Sequence, residues 1–292
     1  MRARVVGSVA VVIGGLVPTI AGGPVFAALM VLIGLVGYHE FAAVCGRLPT
    51  APRIPPTGYA VIALLGAAGL FAWPLPVVVA VAAGAIFVPL VALFPRAAAP
   101  GGAEGWALAS SGSFYLGLPV LAAVELRAFP GVVDAIWLDD LGVLTSANWP
   151  SHPRGLAWVT LAILVTWIAD TVAFLVGRTA GRRLIAPSVS PKKTVEGATG
   201  GLAGGIAVAI AVDGVLGLGL GWRVAGLVGA ALTVVSQLGD LGESLLKRQS
   251  GVKDSGNVIP GHGGLLDRVD ALLFVLPSAW FVAWLLDGTA GR

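Results

Sequence analysis

Long apolar runs, separated by short polar or glycine- and proline-rich segments, make up most of this chain. A helix needs about 20 apolar residues to cross a hydrocarbon core of about 30 Å, and only helices and closed barrels satisfy their backbone hydrogen bonds there. The runs are longer and more continuous than barrel strands. The pattern therefore predicts an all-α, polytopic integral membrane protein with about nine transmembrane helices. The predicted spans are residues 4–21, 25–45, 58–73, 76–95, 105–123, 156–177, 198–219, 222–241 and 270–287.

The composition agrees with this class, since hydrophobic residues make up 57% of the chain and charged residues 11%. The first apolar run follows Arg2 and Arg4 and ends near Val25-Phe26-Ala27, a pattern that is also typical of a cleavable signal peptide. We expect a retained first helix, because further spans follow at once. Cys45 is the single cysteine, which excludes an intrachain disulfide and a cysteine-based metal cage.

Lysine and arginine alternate between a rich and a poor side of the predicted spans. Of the 18 bases, only Arg127, Arg154, Arg223 and Arg292 fall on the poor side. Because basic residues are retained on the cytoplasmic side, we expect a cytoplasmic N-terminus and an external C-terminus. We expect the protein to be a multi-pass protein of the plasma membrane. The net charge of +3 is then a topology signal, and no interleaving of aromatic and basic residues suggests a nucleic-acid partner.

The polar residues divide the chain into two regions. Residues 1–100 hold few polar groups inside their spans and are predicted to be an N-terminal transmembrane scaffold. Residues 101–292 are predicted to be a transmembrane catalytic region with two cytoplasmic loops, 178–197 and 242–269.

Two other polar features are interpreted as surface. His39 and Glu40, at the end of the second span, are interpreted as an interfacial pair whose side chains reach water, in preference to a role in a site. Residues 125–155 are interpreted as an acidic external loop in solvent, with Glu125, Asp134, Asp139 and Asp140.

An acidic residue, Asp170, lies inside the sixth predicted span. An ionisable group in the bilayer is costly, so its presence is a functional hypothesis. Two interpretations stay open: Asp170 is a hydrogen-bond partner in helix packing, or it belongs to a water-accessible site.

A polar loop, Ser190 to Gly197, leads into the seventh span. Its hydroxyls, its adjacent Lys192 and Lys193 and the following helix N-terminus suit a phosphate, because backbone N–H groups and the helix dipole favour an anion there. Ser190 or Thr194 would alternatively cap the helix. The glycines that follow at intervals of four, Gly197, Gly201 and Gly205, predict close helix packing and not a phosphate loop.

Residues 240–270 concentrate charge in this otherwise apolar chain. Helical spacing places Asp240, Glu243, Ser244 and Lys247 on one face, and Asp267 and Asp270 on another. Between them lie two glycine-containing segments, Lys253 to Gly256 and Pro260 to Gly264, in which backbone can approach a ligand closely. Carboxylates near basic residues predict a divalent cation and phosphate groups.

The motifs of this region resemble a known signature. Ser244-Leu245-Leu246-Lys247-Arg248, Lys253-Asp254-Ser255-Gly256, Ile259-Pro260, His262-Gly263-Gly264 and Asp267-Arg268-Val269-Asp270 resemble that of the CTP:phosphatidate cytidylyltransferases, or CDP-diacylglycerol synthases. The resemblance extends through Asp170, Gly177-Arg178, Gly181-Arg182 and the Ser190 to Gly197 loop, over roughly residues 110–275.

The resemblance implies a membrane nucleotidyltransferase of phospholipid biosynthesis that condenses CTP with phosphatidate and requires Mg²⁺; a second cation is left open. The resemblance and the glycine stripe together favour a homodimer. It implies a metal site formed by Asp240, Asp267 and Asp270. The implied catalytic residues are Lys247, Arg248, Lys253, His262 and Arg268, where His262 binds phosphate, shuttles a proton to pyrophosphate or stabilises the loop. The implied substrate-binding residues are Asp170, Ser190, Lys192, Lys193, Thr194, Glu196, Ser244, Asp254, Gly263 and Gly264.

We expect the two basic loops to supply opposing walls of one site. Two alternatives stay open. One is another CTP-using membrane lipid enzyme, such as a polyprenol kinase or an ether-lipid cytidylyltransferase. The other is an ion-coupled transporter in which intramembrane acids such as Asp170 and Asp240 bind cations. The transporter is disfavoured, because the charges cluster at span ends and not near the midplane.

Overall fold

The computed structural model describes residues 14–94, 101–135, 153–258 and 263–287. Within these residues the chain is almost entirely helical, which confirms the predicted all-α class. The elements in chain order are α1 (Gly23–Cys45), α2 (Thr57–Leu70), α3 (Leu75–Leu93), α4 (Gly102–Arg127), α5 (Pro153–Ala180), β1 (Leu184–Ala186), β2 (Ser190–Thr194), α6 (Val195–Leu216), α7 (Trp222–Gln249), α8 (Leu266–Val269) and α9 (Leu272–Asp287).

The helices match the predicted spans closely. In the part of the chain that the structure describes, seven helical segments are long and apolar enough to cross a membrane: α1, α3, α4, α5, α6, α7 and Leu266–Leu286, which contains α8 and all of α9 except its last residue. Helix α2 is shorter, at 14 residues. The first predicted span, residues 4–21, falls mostly outside the described residues, and its described part, 14–21, is helical. The chain is therefore a multi-pass membrane protein.

The described chain divides into two compact units. Unit one contains Pro24–Glu125 and Leu246–Val269, together with Met1–Pro18. Unit two contains Leu126–Leu245 and Asp270–Arg292, together with Thr19–Gly23. The functional division predicted near residue 100 stays a prediction.

In unit one, helices α1, α2 and α4 pack through small residues. A Cβ on Gly34 would lie 2.7 Å from the Ile62 side chain and 2.8 Å from that of Val120. One turn along α1, the buried Tyr38 donates a hydrogen bond of 2.8 Å to the carbonyl of Pro55. Because glycine lets the helices approach this closely, large side chains such as Ile62 fill the core between them.

In unit two, the glycine stripe of α6 packs against α5 and α7, as predicted. A Cβ on Gly201 would lie 2.9 Å from both the Ala169 carbonyl oxygen and the Ala173 Cβ of α5. Gly205 likewise faces the Thr233 side chain of α7. Since the stripe is occupied by helices of the same chain, it offers no support for the predicted homodimer.

The segment before α6 is a hairpin, where the sequence predicted a loop. Strands β1 and β2 pair antiparallel, with Leu184 opposite Thr194 and Ala186 opposite Ser190. The side chain of Glu196 accepts hydrogen bonds from the backbone N–H groups of Arg182 and Arg183, at 3.0 and 3.1 Å. Strand β1 is only three residues long and apolar throughout, and β2 is polar, so neither shows the alternation by which strands are recognised in a sequence.

The prediction of an acidic loop over residues 125–155 is wrong about where the loop begins. Helix α4 continues to Arg127, and so includes Glu125. The Arg127 guanidinium is buried, and it donates to the carbonyl oxygens of Thr19 at 2.6 Å and Ile20 at 2.8 Å. These bonds satisfy a charge that would otherwise be expensive to bury. Asp139 and Asp140 lie outside the described residues.

Candidate active site

Unit two contains a cavity of about 480 Å³, lined by α5, the hairpin, α6 and α7. We call it the hairpin cavity. Five residues that the sequence predicted for the site line it: Asp170, Lys192, Lys193, Thr194 and Asp240. Arg178 and Gln237 also line it, and neither was singled out for a role. Arg178 belongs to the Gly177-Arg178 motif of the resemblance, and this motif could have indicated a role for it. Nothing in the sequence indicated a role for Gln237.

An ion pair joins the hairpin to α7. The Lys193 ammonium lies 2.6 Å from the Asp240 carboxylate, and the two side chains are 26% and 31% exposed. Ser244, one turn further along α7, donates a long hydrogen bond of 3.4 Å to the other Asp240 oxygen. An accessible pair of this kind contributes only about 0–1 kcal/mol, so a phosphate can compete for Lys193 and a cation for Asp240.

Two carboxylates of unit two, Asp240 and Asp270, lie within electrostatic range of a third, Asp170. Asp170 interacts with Asp240, with Asp270 and with the ammonium of Lys193. Among the described residues, no group of three or more His, Cys, Asp or Glu side chains is gathered as a metal site. The donor chemistry nevertheless fits a divalent cation, because hard oxygen ligands are what Mg²⁺ takes and a cation relieves the repulsion between carboxylates.

The hairpin joins α6 through a capped N-terminus. Thr194 is the N-cap, and its side-chain oxygen accepts a hydrogen bond of 3.1 Å from the backbone N–H of Gly197. A Cβ on Gly197 would lie 2.7 Å from the Ala173 carbonyl oxygen, so this glycine allows α6 to begin directly against α5. The capping alternative is therefore correct for Thr194, and Lys192 and Lys193 precede a helix N-terminus at the cavity wall.

In unit one, Asp267 organises the segment between α7 and α8. One carboxylate oxygen lies 2.7 Å from the Lys247 ammonium, and the side chains are 7% and 12% exposed. The other oxygen accepts hydrogen bonds of 2.9 Å from the backbone N–H groups of Ser255 and Gly264. We call the residues between the two helices, 250–265, the signature loop. Residues 259–262 of this loop, which include His262, lie outside the described residues.

The prediction for Glu40 is wrong. Its side chain does not reach water: Glu40 is 2% exposed. Its carboxylate accepts hydrogen bonds from the Ser255 hydroxyl at 2.9 Å, from the Leu265 N–H at 3.0 Å and from the Leu266 N–H at 2.8 Å. These donors stabilise a charge that burial alone would disfavour. The sequence offered one signal, an acidic residue within an apolar span.

The remaining predicted residues of unit one differ in exposure. Arg248, Lys253 and Arg268 are exposed, as phosphate-contacting side chains must be, and Asp254 is exposed as well. Gly264 is buried, and a Cβ there would lie 2.5 Å from a Glu40 oxygen. Its observed role is thus close packing inside the loop, and its contact with substrate stays a prediction.

Comparison with known proteins gives a consistent result. Residues 2–286 match the family model described as "Cytidylyltransferase family". The phosphatidate cytidylyltransferase of Bacillus subtilis is 44% identical over 128 residues, which are 44% of this chain and 48% of that protein. The phosphatidate cytidylyltransferase of Synechocystis is 38% identical over 184 residues, which are 60% of this chain and 61% of that protein. That of Staphylococcus haemolyticus is 46% identical over 123 residues, which are 42% of this chain and 47% of that protein. The chain thus spans about half the length of the curated relatives it matches, and up to 61%.

Proposed function

The chain belongs to the cytidylyltransferase family, and we propose that it is a phosphatidate cytidylyltransferase, which condenses CTP with phosphatidate to give CDP-diacylglycerol and pyrophosphate. The observation that carries this proposal is the hairpin cavity. Within a chain of apolar helices, it brings Lys192, Lys193 and Arg178 together with the carboxylates Asp170 and Asp240. Bases for phosphate and oxygen donors for a cation are what a reaction between two phosphate compounds requires.

The proposed reaction needs no general base. An oxygen of the lipid phosphate attacks the α-phosphorus of CTP, a new P–O bond forms, and the bond from the α-phosphorus to the β-phosphate oxygen breaks. Pyrophosphate leaves with the bonding electrons. The second pKa of a phosphomonoester is about 6, so the attacking phosphate is largely dianionic at neutral pH. The main barrier is therefore repulsion between two polyanions.

The bases of unit two would offset that repulsion. We assign Lys193 to a substrate phosphate, which replaces Asp240 as its partner when substrate binds, and Lys192 and Arg178 to further phosphate oxygens. Thr194, Ser190 and Glu196 hold the hairpin that presents them. The mainly apolar lining of the cavity strengthens each of these charge contacts relative to water.

The residues of the signature motif include further bases. We assign Lys247, Arg248, Lys253 and Arg268 to phosphate contacts, with Lys247 oriented by its ion pair with Asp267. For His262 the proposed roles are still phosphate binding, proton transfer to pyrophosphate and stabilisation of the loop. Ser244, Asp254, Gly263 and Gly264 are kept as proposed substrate contacts.

Asp240, Asp267 and Asp270 are the proposed ligands of Mg²⁺. When bound, a divalent cation neutralises phosphate charge and favours departure of pyrophosphate. Whether a second cation takes part is left to metal titration.

We place the site on the cytoplasmic side of the plasma membrane, where CTP is available, with the N-terminus cytoplasmic. The distribution of bases along the chain supports this orientation. The lipid would enter sideways, so that its phosphate meets CTP while its acyl chains stay in apolar surroundings. A homodimer now rests on family resemblance alone.

Labelled CTP tests the proposal directly. Purified protein in detergent receives phosphatidate, Mg²⁺ and CTP labelled at the α-phosphorus, and labelled lipid is expected. With CTP labelled at the γ-phosphorus, only a lipid kinase would label the lipid, because a kinase transfers the terminal phosphoryl group. Labelled lipid from γ-labelled CTP, or ion uptake by vesicles without CTP turnover, would replace the proposal by one of the alternatives.

A further inference from the structure

Two carboxylates of unit one hold the same loop. Ser255 donates two hydrogen bonds. Its backbone N–H donates to the Asp267 carboxylate at 2.9 Å, and its hydroxyl donates to the Glu40 carboxylate at 2.9 Å. On the other side of the loop, the Gly264 N–H bonds Asp267 at 2.9 Å, while the next N–H, that of Leu265, bonds Glu40 at 3.0 Å. Each stretch of the signature loop is therefore bonded to both carboxylates.

The glycines of the loop are fitted to this arrangement. A Cβ on Gly256 would lie 2.5 Å from a Glu40 oxygen. A Cβ on Gly264 would meet the other Glu40 oxygen at 2.5 Å and the Gly256 nitrogen at 2.7 Å. Since any larger residue at these two positions would displace the carboxylate, Gly256 and Gly264 allow a buried acid to enter the loop.

We propose that Glu40, although it lies in a predicted scaffold helix, is a positioning residue for the active site. Its hydrogen bonds to Ser255 and Leu265 of the signature loop and to Leu266 at the start of α8 fix the loop, and the loop in turn fixes the orientation of Asp267 and of the Lys247 paired with it. The inference rests on the proposed function, because Asp267 and Lys247 have their roles there. Glu40 itself contacts no substrate.

The carboxylate is required because all three partners are donors. One Glu40 oxygen accepts from Ser255 and Leu266, and the other accepts from Leu265. Glutamine has nearly the same shape, but its amide NH₂ would face an N–H or O–H donor at one of the two sites. A donor that loses its acceptor in a buried site is disfavoured, so Glu40→Gln should release part of the loop without leaving a cavity.

The first measurement needs no substrate. Hydrogen exchange of peptides that cover residues 263–268 is compared among wild type, Glu40→Gln and His39→Ala. His39 is a matched control, since it is the exposed neighbour on the same helix and bonds Tyr59 outside the loop. We expect exchange of whichever amide faces the glutamine NH₂, that of Leu265 or that of Leu266, to rise at least about tenfold in Glu40→Gln, as a lost hydrogen bond of about 1.4 kcal/mol would give. Unchanged exchange in these peptides would overturn the inference.

The second measurement separates positioning from folding. We expect Glu40→Gln to lower kcat for labelled CDP-diacylglycerol by about 10–100-fold, the usual cost of losing a residue that orients a ligand residue. The KM for CTP should change much less, and His39→Ala should match wild type. If kcat per folded molecule equals that of wild type, Glu40 is merely structural and the proposal fails.

Ser255→Ala provides a variant that removes only one of the three bonds to Glu40. We expect a smaller loss of kcat than in Glu40→Gln, and less than additive losses in the double variant, because both changes release the same loop. Additive losses would contradict a shared action. Wild-type protein that makes no labelled lipid would remove the proposed function, while the exchange measurement would still decide whether Glu40 holds the loop.

Discussion

Lys193 of the hairpin and Asp240 of α7 form an ion pair of 2.6 Å at the wall of the hairpin cavity. Both side chains keep part of their surface accessible, and Asp170 lies within electrostatic range of each. The pair therefore places a positively charged and a negatively charged side chain next to each other at the cavity wall, where each is accessible to a ligand of opposite charge. The first two predictions follow from it.

Replacing Lys193 by methionine should weaken CTP binding. The apolar stem is kept while the charge is removed, so we expect the KM for CTP to rise about tenfold or more, as for a charge-assisted hydrogen bond of about 1.5–3 kcal/mol. The measurement is labelled-lipid formation over a range of CTP concentrations. Arg183→Ala is the matched control, since Arg183 is a 79% exposed base of the same segment that pairs with Glu196. Equal effects of the two changes would show that only general positive charge matters.

Replacing Asp240 by asparagine should change the metal dependence. Asparagine keeps the size of the side chain but supplies one neutral oxygen, so we expect the Mg²⁺ concentration for half-maximal activity to rise about tenfold or more. Chelation of the metal should stop wild-type turnover. Asp134→Asn removes one negative charge from an exposed residue, and its Mg²⁺ dependence should stay that of wild type. An unchanged Mg²⁺ requirement in Asp240→Asn would remove this residue from the proposed ligands.

Asp267→Asn should abolish labelled-lipid formation while the protein stays folded. Asparagine can still accept the N–H groups of Ser255 and Gly264, but it removes the negative charge that lies 2.7 Å from the mostly buried Lys247 ammonium. We expect the unfolding temperature in detergent to fall, and to recover in part when Lys247→Met is added, since removing both charges is less costly than removing one. Full activity in the single variant would contradict the proposed role of Asp267.

Hydrophobic periodicity made the spans of this chain predictable, whereas the partners of its polar residues were not. Each apolar run from residue 25 onward became a helix, because a membrane leaves such a run few alternatives. Helical spacing also placed Asp240, Ser244 and Lys247 on one face of α7. The hairpin was missed because its first strand has only three residues, its second strand is polar, and Glu196 of the following helix bonds the backbone just before the first strand.

Glu40 shows most clearly why the partners of a polar residue could not be predicted from the sequence. Its hydrogen-bond partner Ser255 lies 215 residues away in the sequence. The neighbouring residues in the sequence show only that Glu40 lies near the end of an apolar span, and an acidic side chain at such a position usually extends to water. Burial becomes favourable only because the signature loop and the first residue of α8 together supply three donors, and that depends on the tertiary fold.

The glycine stripe of α6 gives a prediction about stability that is independent of catalysis. Gly201→Ala places a Cβ 2.9 Å from the Ala169 carbonyl oxygen and the Ala173 Cβ, so α5 and α6 must separate, at a cost of about 1–3 kcal/mol. Gly214 is the matched control on the same helix, since a Cβ there meets nothing within 4 Å and Gly214→Ala should be neutral or slightly stabilising. Thermal unfolding in detergent measures both variants, and size-exclusion chromatography reports their oligomeric state. Because the stripe is filled within one chain, Gly201→Ala should lower the unfolding temperature without changing the oligomeric state. Loss of a dimer with an unchanged unfolding temperature would instead assign the stripe to contacts between chains.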